Sequence, residues 1–105
     1  MSQLKQDLMA VRELLAVPER WCKGEMACDA DGNGVSANNP MAVSFCISGA
    51  AEHILPRDFG RWSRIRDSLY ALLPDGDAIT GFNDADDRTH PEVLALLDKA
   101  IEATP

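Results

Sequence analysis

A chain of 105 residues with 46% hydrophobic and 26% charged side chains is long enough to form one globular domain with its own core. Its formal net charge of -7 repels phosphate backbones, so we expect no nucleic-acid partner. No apolar run reaches the ~18 residues of a membrane span, no signal-peptide pattern begins the chain, and three cysteines cannot complete a disulfide framework. We therefore expect one domain over residues 1–105, in the cytoplasm and away from membranes.

The first third of the chain predicts one helix, a turn, and a β-hairpin or tight loop. Ser2 can cap a helix over roughly residues 3–17, and Pro18 ends it because the residue before a proline avoids helical backbone angles. The apolar face of this helix consists of Leu4, Leu8, Val11 and Leu15. Residues 29–34 are dense in turn formers, so the segment 25–36 should fold back on itself.

The most apolar stretch, residues 40–55, predicts a central helix. Read at helical spacing, its polar side chains fall on one narrow stripe, and apolar side chains cover most of the remaining circumference. Asn39 suits the N-cap and Pro40 the first helical position, while Pro56 ends the helix. Such a helix is expected to be buried by neighbours on several sides.

Two further helices are predicted in the second half of the chain. Asp58 can cap a helix over roughly residues 59–73, and Thr89 with Glu92 can form a capping box that starts the last helix. A turn at 74–77 and a short apolar connection at 79–82 lie between them. The predicted fold is mainly α: a small four-helix bundle with a short β-hairpin or loop insertion after the first helix.

A basic stripe accompanies the third predicted helix, formed by Arg57, Arg61 and Arg64. The connection after that helix is acidic and contains Asp75, Asp77, Asp84, Asp86 and Asp87. The arginines either pair with these carboxylates across the surface or bind an anionic ligand, and internal pairing is the favoured interpretation.

Part of the turn-rich segment matches the first half of an EF-hand calcium loop. Asp29, Asp31 and Asn33, followed by Gly34, have the spacing at which side-chain oxygens converge on one cation. Pro40 stands where the loop needs a bidentate glutamate, so a tight turn is favoured. Calcium held by these three residues is the alternative, and no other cofactor is expected.

The element after the acidic connection is the most informative polar motif. Asn83 and Asp84 follow the aromatic Phe82, and side chains of these types can hydrogen-bond the loop backbone and hold it against the core. The alternative to such a clamp is a pocket with a polar end for a small ligand. The candidate ligand-binding residues are Trp21, Phe82, Asn83, Asp84 and Arg88.

Catalysis has little support in the sequence. Cys22 could act as a nucleophile only if His90 contacts it in the fold. The cysteines and histidines lack the usual spacing of a zinc site, and the common catalytic motifs are absent from the sequence. We therefore expect a protein that is not an enzyme.

Several short motifs are more specific when taken together than singly. They are Trp21-Cys22-x-Gly24, Ala27-x-Asp29-Ala30-Asp31-Gly32, Phe45-Cys46-x-x-Gly49-Ala50, Phe82-Asn83-Asp84 and Arg88-Thr89-His90-x-Glu92-Val93-Leu94-x-Leu96-Leu97-Asp98. Through them the chain resembles a family of small uncharacterised bacterial and phage proteins, a domain of unknown function. The resemblance implies no established activity, and it weakens the calcium hypothesis because relatives vary just after Asp31-Gly32. Occurrence in phages implies an inhibitory or ligand-sequestering role in conflict between phage and host.

Two hypotheses from different classes remain. The favoured one is a non-catalytic binding or regulatory module that engages a protein partner or a small ligand through the surface between Trp21, the Asn83-Asp84 loop and the last helix. The alternative is a calcium-binding protein that uses the turn-rich segment.

Overall fold

The computed structural model describes residues 2–73 and 78–105, which are mainly helical and contain a small antiparallel sheet. Its elements, in chain order, are α1 (Gln3–Leu14), a 3-10 turn (Pro18–Arg20), β1 (Ala27–Cys28), β2 (Gly34–Val35), β3 (Ser44–Phe45), α2 (Ile47–Ile54), α3 (Phe59–Tyr70), α4 (Ile79–Asp84) and α5 (His90–Ala103). The mainly α class is confirmed, and β1 and β2 pair antiparallel within the segment predicted to fold back on itself. The described residues form five helices rather than four because the predicted apolar connection at 79–82 is itself helical. The predicted turn at 74–77 lies outside the described residues.

Three helices begin where the sequence predicts, because each N-cap depends only on residues close in sequence. The Ser2 hydroxyl accepts from the Lys5 N–H at 3.1 Å, and the Asp58 carboxylate accepts from the Arg61 N–H at 3.1 Å. The Glu92 carboxylate accepts from the Thr89 N–H at 2.9 Å, as a capping box requires. Helices α1 and α3 end a little earlier than predicted, at Leu14 and Tyr70.

The central helix begins later in the structure than the sequence predicts. Residues 40–46 form a turn and strand β3, and α2 begins only at Ile47. Strand β3 pairs antiparallel with β1, which also pairs with β2. The Cys46 sulfur takes the N-cap position and accepts from the Gly49 N–H at 3.2 Å. Asn39 instead closes a local turn, since its side-chain oxygen accepts from the Met41 N–H at 2.8 Å.

Although shorter than predicted, α2 still packs against α1, α3 and α4. The core consists of apolar side chains from all of the longer helices and from the sheet. Its largest fully buried apolar members are Leu8, Val11, Leu15, Ile47, Ile65, Leu69, Val93 and Leu97. None of the helices in the described part of the chain combines the length and apolar character needed to cross a bilayer.

The first turn of α2 lies directly on the backbone of Met26, the residue before β1. A Cβ atom added at Gly49 would overlap the carbonyl oxygen of Met26 and crowd its carbonyl carbon. Because the neighbour is backbone rather than the end of a flexible side chain, it cannot move aside without disturbing the sheet. Glycine at this position therefore sets how closely helix and sheet approach.

A partly buried ion pair joins α1 to α3. The Arg61 guanidinium donates to both oxygens of Asp7, at 2.6 Å and 3.0 Å, and the Gln3 amide donates to the same carboxylate at 2.9 Å. Asp7 is only 4% exposed. The expectation that the arginine stripe pairs with the acidic connection is therefore wrong for Arg61, and Asp75 and Asp77 of that connection lie outside the described residues.

We expect Gly49→Ala to destabilise the protein by about 3 kcal/mol or more, because the new methyl group cannot fit against the backbone of Met26 at the start of the sheet. Gly81→Ala is the matched control, since no atom lies within 4 Å of the added Cβ and alanine favours a helix. Urea unfolding followed by tryptophan fluorescence measures both changes. Equal stabilities of the two variants would contradict the close approach.

The ion pair predicts a pH dependence. The hydrogen bond from Arg61 holds the pKa of Asp7 below its ordinary value, so Asp7 contributes stability above its unfolded pKa and loses that contribution as pH falls through its folded pKa. The free energy of unfolding should therefore drop below about pH 4. Asp7→Asn should lower stability at neutral pH and make this acid decline shallower.

Urea midpoints measured between about pH 7 and about pH 3 test the Asp7 prediction. Asp98→Asn is the control, because Asp98 is an exposed partner of Arg12 and its removal should matter less. An Asp7→Asn profile parallel to that of the unmodified protein would exclude Asp7 as the source of the acid decline.

Candidate functional site

The Asn83 side chain lies at the end of α4 and is fully buried, with 0% exposure. Its oxygen accepts from the Trp21 indole N–H at 2.8 Å and from the Ile47 backbone N–H at 3.1 Å. Its nitrogen donates to the Cys22 carbonyl at 3.0 Å and to the Asp84 carboxylate at 2.8 Å. These four hydrogen bonds use both donors and both acceptor positions of the amide. We call this set of residues the Asn83 clamp.

Neighbouring contacts extend the clamp along the segment that follows Trp21. The Asp84 carboxylate also accepts from the Gly24 N–H at 3.0 Å, and Gly24 has a φ of 81°, in the region that favours glycine. The Lys23 ammonium donates to the Ala85 carbonyl at 2.8 Å. The hydrogen bonds therefore agree with the predicted clamp. Ligand binding by Trp21, Asn83 and Asp84 stays a prediction, and the polar atoms of Asn83 have no remaining capacity for it.

The other two predicted ligand-binding residues lie at a concave surface. The Arg88 guanidinium is 3.7 Å from the centre of the Phe82 ring, and its Nε donates to the Phe82 carbonyl at 2.7 Å. Both side chains line a groove of about 300 Å³ whose other wall, on α5, includes Leu96 and Lys99. We call this the Phe82–Arg88 groove.

The candidate calcium residues form the turn of the β1–β2 hairpin. The Asp29 carboxylate accepts from the N–H groups of Asp31 and Asn33, at 3.0 Å and 2.9 Å, and Gly32 has a φ of 84°. These are the contacts of a tight Asx-type turn. Within residues 2–73 and 78–105, no three acidic, histidine or cysteine side chains are arranged to hold a metal ion. The turn interpretation is supported, and the calcium hypothesis gains no support.

The cysteine–histidine arrangement that a nucleophile needs is not formed by the described residues. The His90 ring nitrogen lies 2.6 Å from the Leu15 carbonyl, and the Cys22 thiol points to the Glu25 carbonyl at 3.8 Å. Burial raises the pKa of Cys22 to about 12 and also raises that of Cys46, so both stay protonated near neutral pH. Protonated thiols are poor nucleophiles.

An aromatic surface between α2 and α3 did not emerge from the sequence. Phe59, in the first turn of α3, is 72% exposed, and its ring stacks on Trp62 with the ring centres 5.7 Å apart and an angle of 23° between planes. Beside it is a pocket of about 270 Å³, lined by Glu52, Leu55, Pro56, Arg57, Asp58, Phe59 and Trp62. We call this the Phe59–Trp62 surface.

The sequence does not reveal this surface, because Trp62 shares the helical spacing of the buried Ile65 and Leu69 and so falls on the core-facing side of α3. Trp62 does pack against the core, but only part of its side chain is buried. The signal that could have revealed it is the pair of aromatic side chains three residues apart, which share one helix face. Arginines precede, separate and follow that pair, at positions 57, 61, 64 and 66.

The sequence model of DUF6197, described as a family of unknown function, matches residues 1–103. The expectation of an uncharacterised family is thereby confirmed at that level. No curated protein and no solved structure matches the chain. These comparisons indicate no activity for the chain.

We expect Asn83→Ala to lower the free energy of unfolding by about 3 kcal/mol or more, because it leaves the Trp21 indole N–H and two backbone groups without their partner. Asn38→Ala, at an exposed asparagine, should change it by less than about 0.5 kcal/mol. Urea unfolding followed by tryptophan fluorescence distinguishes the two. A loss below about 1 kcal/mol for Asn83→Ala would remove the structural role and favour the ligand role.

Proposed function

We propose, from the premise that this chain belongs to the family of unknown function DUF6197, that it is a non-catalytic binding module which holds a protein partner on the Phe59–Trp62 surface. The observation that carries the proposal is the exposed Phe59 ring, 72% accessible and stacked on Trp62 beside an apolar pocket. Covering such a ring removes apolar area from water and stabilises a complex by about 2 kcal/mol.

The composition of this surface is that of a protein-interaction hot spot. Tryptophan and arginine are enriched among the residues that dominate binding free energies, and aromatic side chains are enriched at interfaces generally. The surface contains Phe59, Trp62 and Arg57 together. The Arg66 guanidinium lies 5.3 Å from the centre of the Trp62 ring and covers part of it.

Contacts within the protein hold the first turn of α3 and its aromatic side chains in place. Asp58 caps the first turn of α3, and the Arg61–Asp7 ion pair fixes that turn to α1. Trp62 packs against the core and supports the Phe59 ring from below. Because little order has to be gained on binding, most of the contact free energy appears as affinity.

The Phe82–Arg88 groove offers the same module a second location, for a small ligand. It contains two of the residues selected from the sequence, together with Lys99. A module of this kind that sequesters one partner would suit the conflict between phage and host that the family resemblance implies. The next experiment distinguishes the two surfaces.

We expect a photo-crosslinking benzoyl-phenylalanine at position 59 to capture one discrete protein in the cells from which the chain derives. The same residue at position 82, in the groove, or at position 70, an exposed tyrosine of α3, should not capture it. Capture from position 82 alone would indicate that the partner binds at the Phe82–Arg88 groove. Equal capture from all three positions, or from none, would contradict the proposal.

The captured partner permits a quantitative test. Phe59→Ala should weaken its binding about tenfold or more, because a central aromatic anchor is lost. The same change should leave the free energy of unfolding within about 0.5 kcal/mol, since the ring is mostly exposed. Tyr70→Ala is the matched control and should change neither quantity. Titration calorimetry with the captured partner measures the affinity of each variant, and urea unfolding measures its free energy of unfolding.

A further inference from the structure

We propose that Cys22 and Cys28 together form a binding site for copper(I). The site lies apart from the proposed function, since it uses neither the Phe59–Trp62 surface nor the Phe82–Arg88 groove. Its donors are sulfur atoms from separate parts of the chain that the small sheet brings together. Thiolate and thioether sulfurs are the soft ligands that favour copper(I) over harder metal ions.

The strand pairing brings all three cysteines of the chain to one part of the sheet. Cys28 of β1 lies opposite Ser44 of β3. The backbone of Cys46 is still extended, so its side chain points to the same side as that of Ser44, because side chains alternate along a strand. From the opposite edge of β3, the Cys22 N–H donates to the Phe45 carbonyl at 3.0 Å. Residues that are distant in the chain thereby become neighbours.

Within this group the side chains of Cys22 and Cys28 interact directly. The Cys22 side chain has those of Ser44 and Cys28 as hydrogen-bonding neighbours, and both thiols are free of disulfides. Cys46 has a different role, because its sulfur accepts from the Gly49 N–H and caps α2. Cys28 is 8% exposed whereas Cys22 is only partly buried, so a metal ion can reach the pair from the Cys22 side.

The number of donors favours copper(I) over zinc. Structural zinc requires four ligands in a tetrahedral arrangement, and residues 2–73 and 78–105 provide no group of three cysteine, histidine or acidic side chains suited to a metal ion. Copper(I) is stable with two thiolates and accepts a thioether as a weaker third ligand. Met26 can supply that thioether, since it shares a face of the sheet with Cys28 and its sulfur lies 3.9 Å from that of Cys46.

The protonation state of the pair suits metal capture rather than disulfide chemistry. Burial, together with the interaction with Cys28, raises the pKa of Cys22 to about 12. Because the thiolate is the form that attacks disulfides and reacts with oxidants, the protonated thiol resists both reactions. Copper(I) binds by displacing protons: two thiols and one cuprous ion give one anionic dithiolate complex and release two protons. The affinity should therefore rise with pH.

The test uses the full-length reduced protein, without oxygen, and copper(I) supplied as its coloured complex with bicinchoninate. Loss of the colour reports transfer of copper(I) to the protein. We expect about one ion bound per chain, with release of about two protons per ion. X-ray absorption at the copper edge should show sulfur as the neighbouring element, with no nitrogen or oxygen ligand.

Single substitutions identify the ligands. Cys22→Ser and Cys28→Ser should each weaken copper(I) binding by about 100-fold or more, because loss of a ligand costs more than loss of an outer partner. Cys46→Ser is the matched control: serine is a preferred N-cap, so α2 should keep its start and the copper(I) affinity should stay unchanged. In the unmodified protein, bound copper(I) should slow alkylation of the partly exposed Cys22, a measurement that requires no variant to fold.

Several results would overturn the inference. They are failure of the protein to take copper(I) from the chelator, an equal loss of affinity in Cys46→Ser, and nitrogen or oxygen ligands at the copper. Zinc bound as tightly as copper(I) would also contradict it. If the protein takes up no copper(I) but oxidised glutathione rapidly links Cys22 to Cys28, the two thiols are a redox pair instead. Capture of a partner at position 59 is independent of all these outcomes.

Discussion

The hydrogen bonds of one buried amide determine how the segments of this protein meet. Asn83 joins the turn after α1, the first residue of α2 and the end of α4, and it is the partner of both the Trp21 indole and the Ile47 N–H. Buried polar groups are expensive to leave unpaired, so these three segments are stable only together. The start of α2 fixes its other end, and the Phe59–Trp62 surface begins there. A fully satisfied amide at the centre of the molecule therefore supports a binding surface formed elsewhere.

The features that sequence reasoning predicted well depend on residues close in the chain. Ser2, Asp58 and the Thr89–Glu92 pair each cap a helix with a neighbour three residues away, and the hairpin turn closes on Asp29. The start of α2 was missed because strand β3 exists only through its pairing with β1, roughly 17 residues earlier in the chain. Cysteine is also not among the preferred N-cap residues, so no local signal in the sequence predicts Cys46 as the N-cap of α2.

For the candidate site as well, the sequence predicts features that depend on neighbouring residues and misses those that depend on tertiary packing. The structural role of Asn83 could be inferred because an Asn-Asp pair next to an aromatic residue is typical of a loop fastened to the core. The exposure of Phe59 could not, since helical periodicity separates the faces of a helix but does not show where the first turn extends beyond the body of the fold. Tertiary packing alone decides that Trp62 is partly covered while Phe59 is left to solvent.

The Asn83 clamp and two other contacts join residues that are far apart in the chain, and this separation affects the order in which the chain folds. Trp21 and Asn83 are separated by 62 positions, His90 and Leu15 by 75, and Arg12 and Asp98 by 86. Contacts between such distant residues slow folding, because the intervening loop must close first. A ribosome synthesises the chain from its N-terminus, so Leu15, Arg12 and Trp21 are made well before their partners in these three contacts. These contacts therefore form only once α4 and α5 have been synthesised, and the side of α1 that packs against α5 stays uncovered until then.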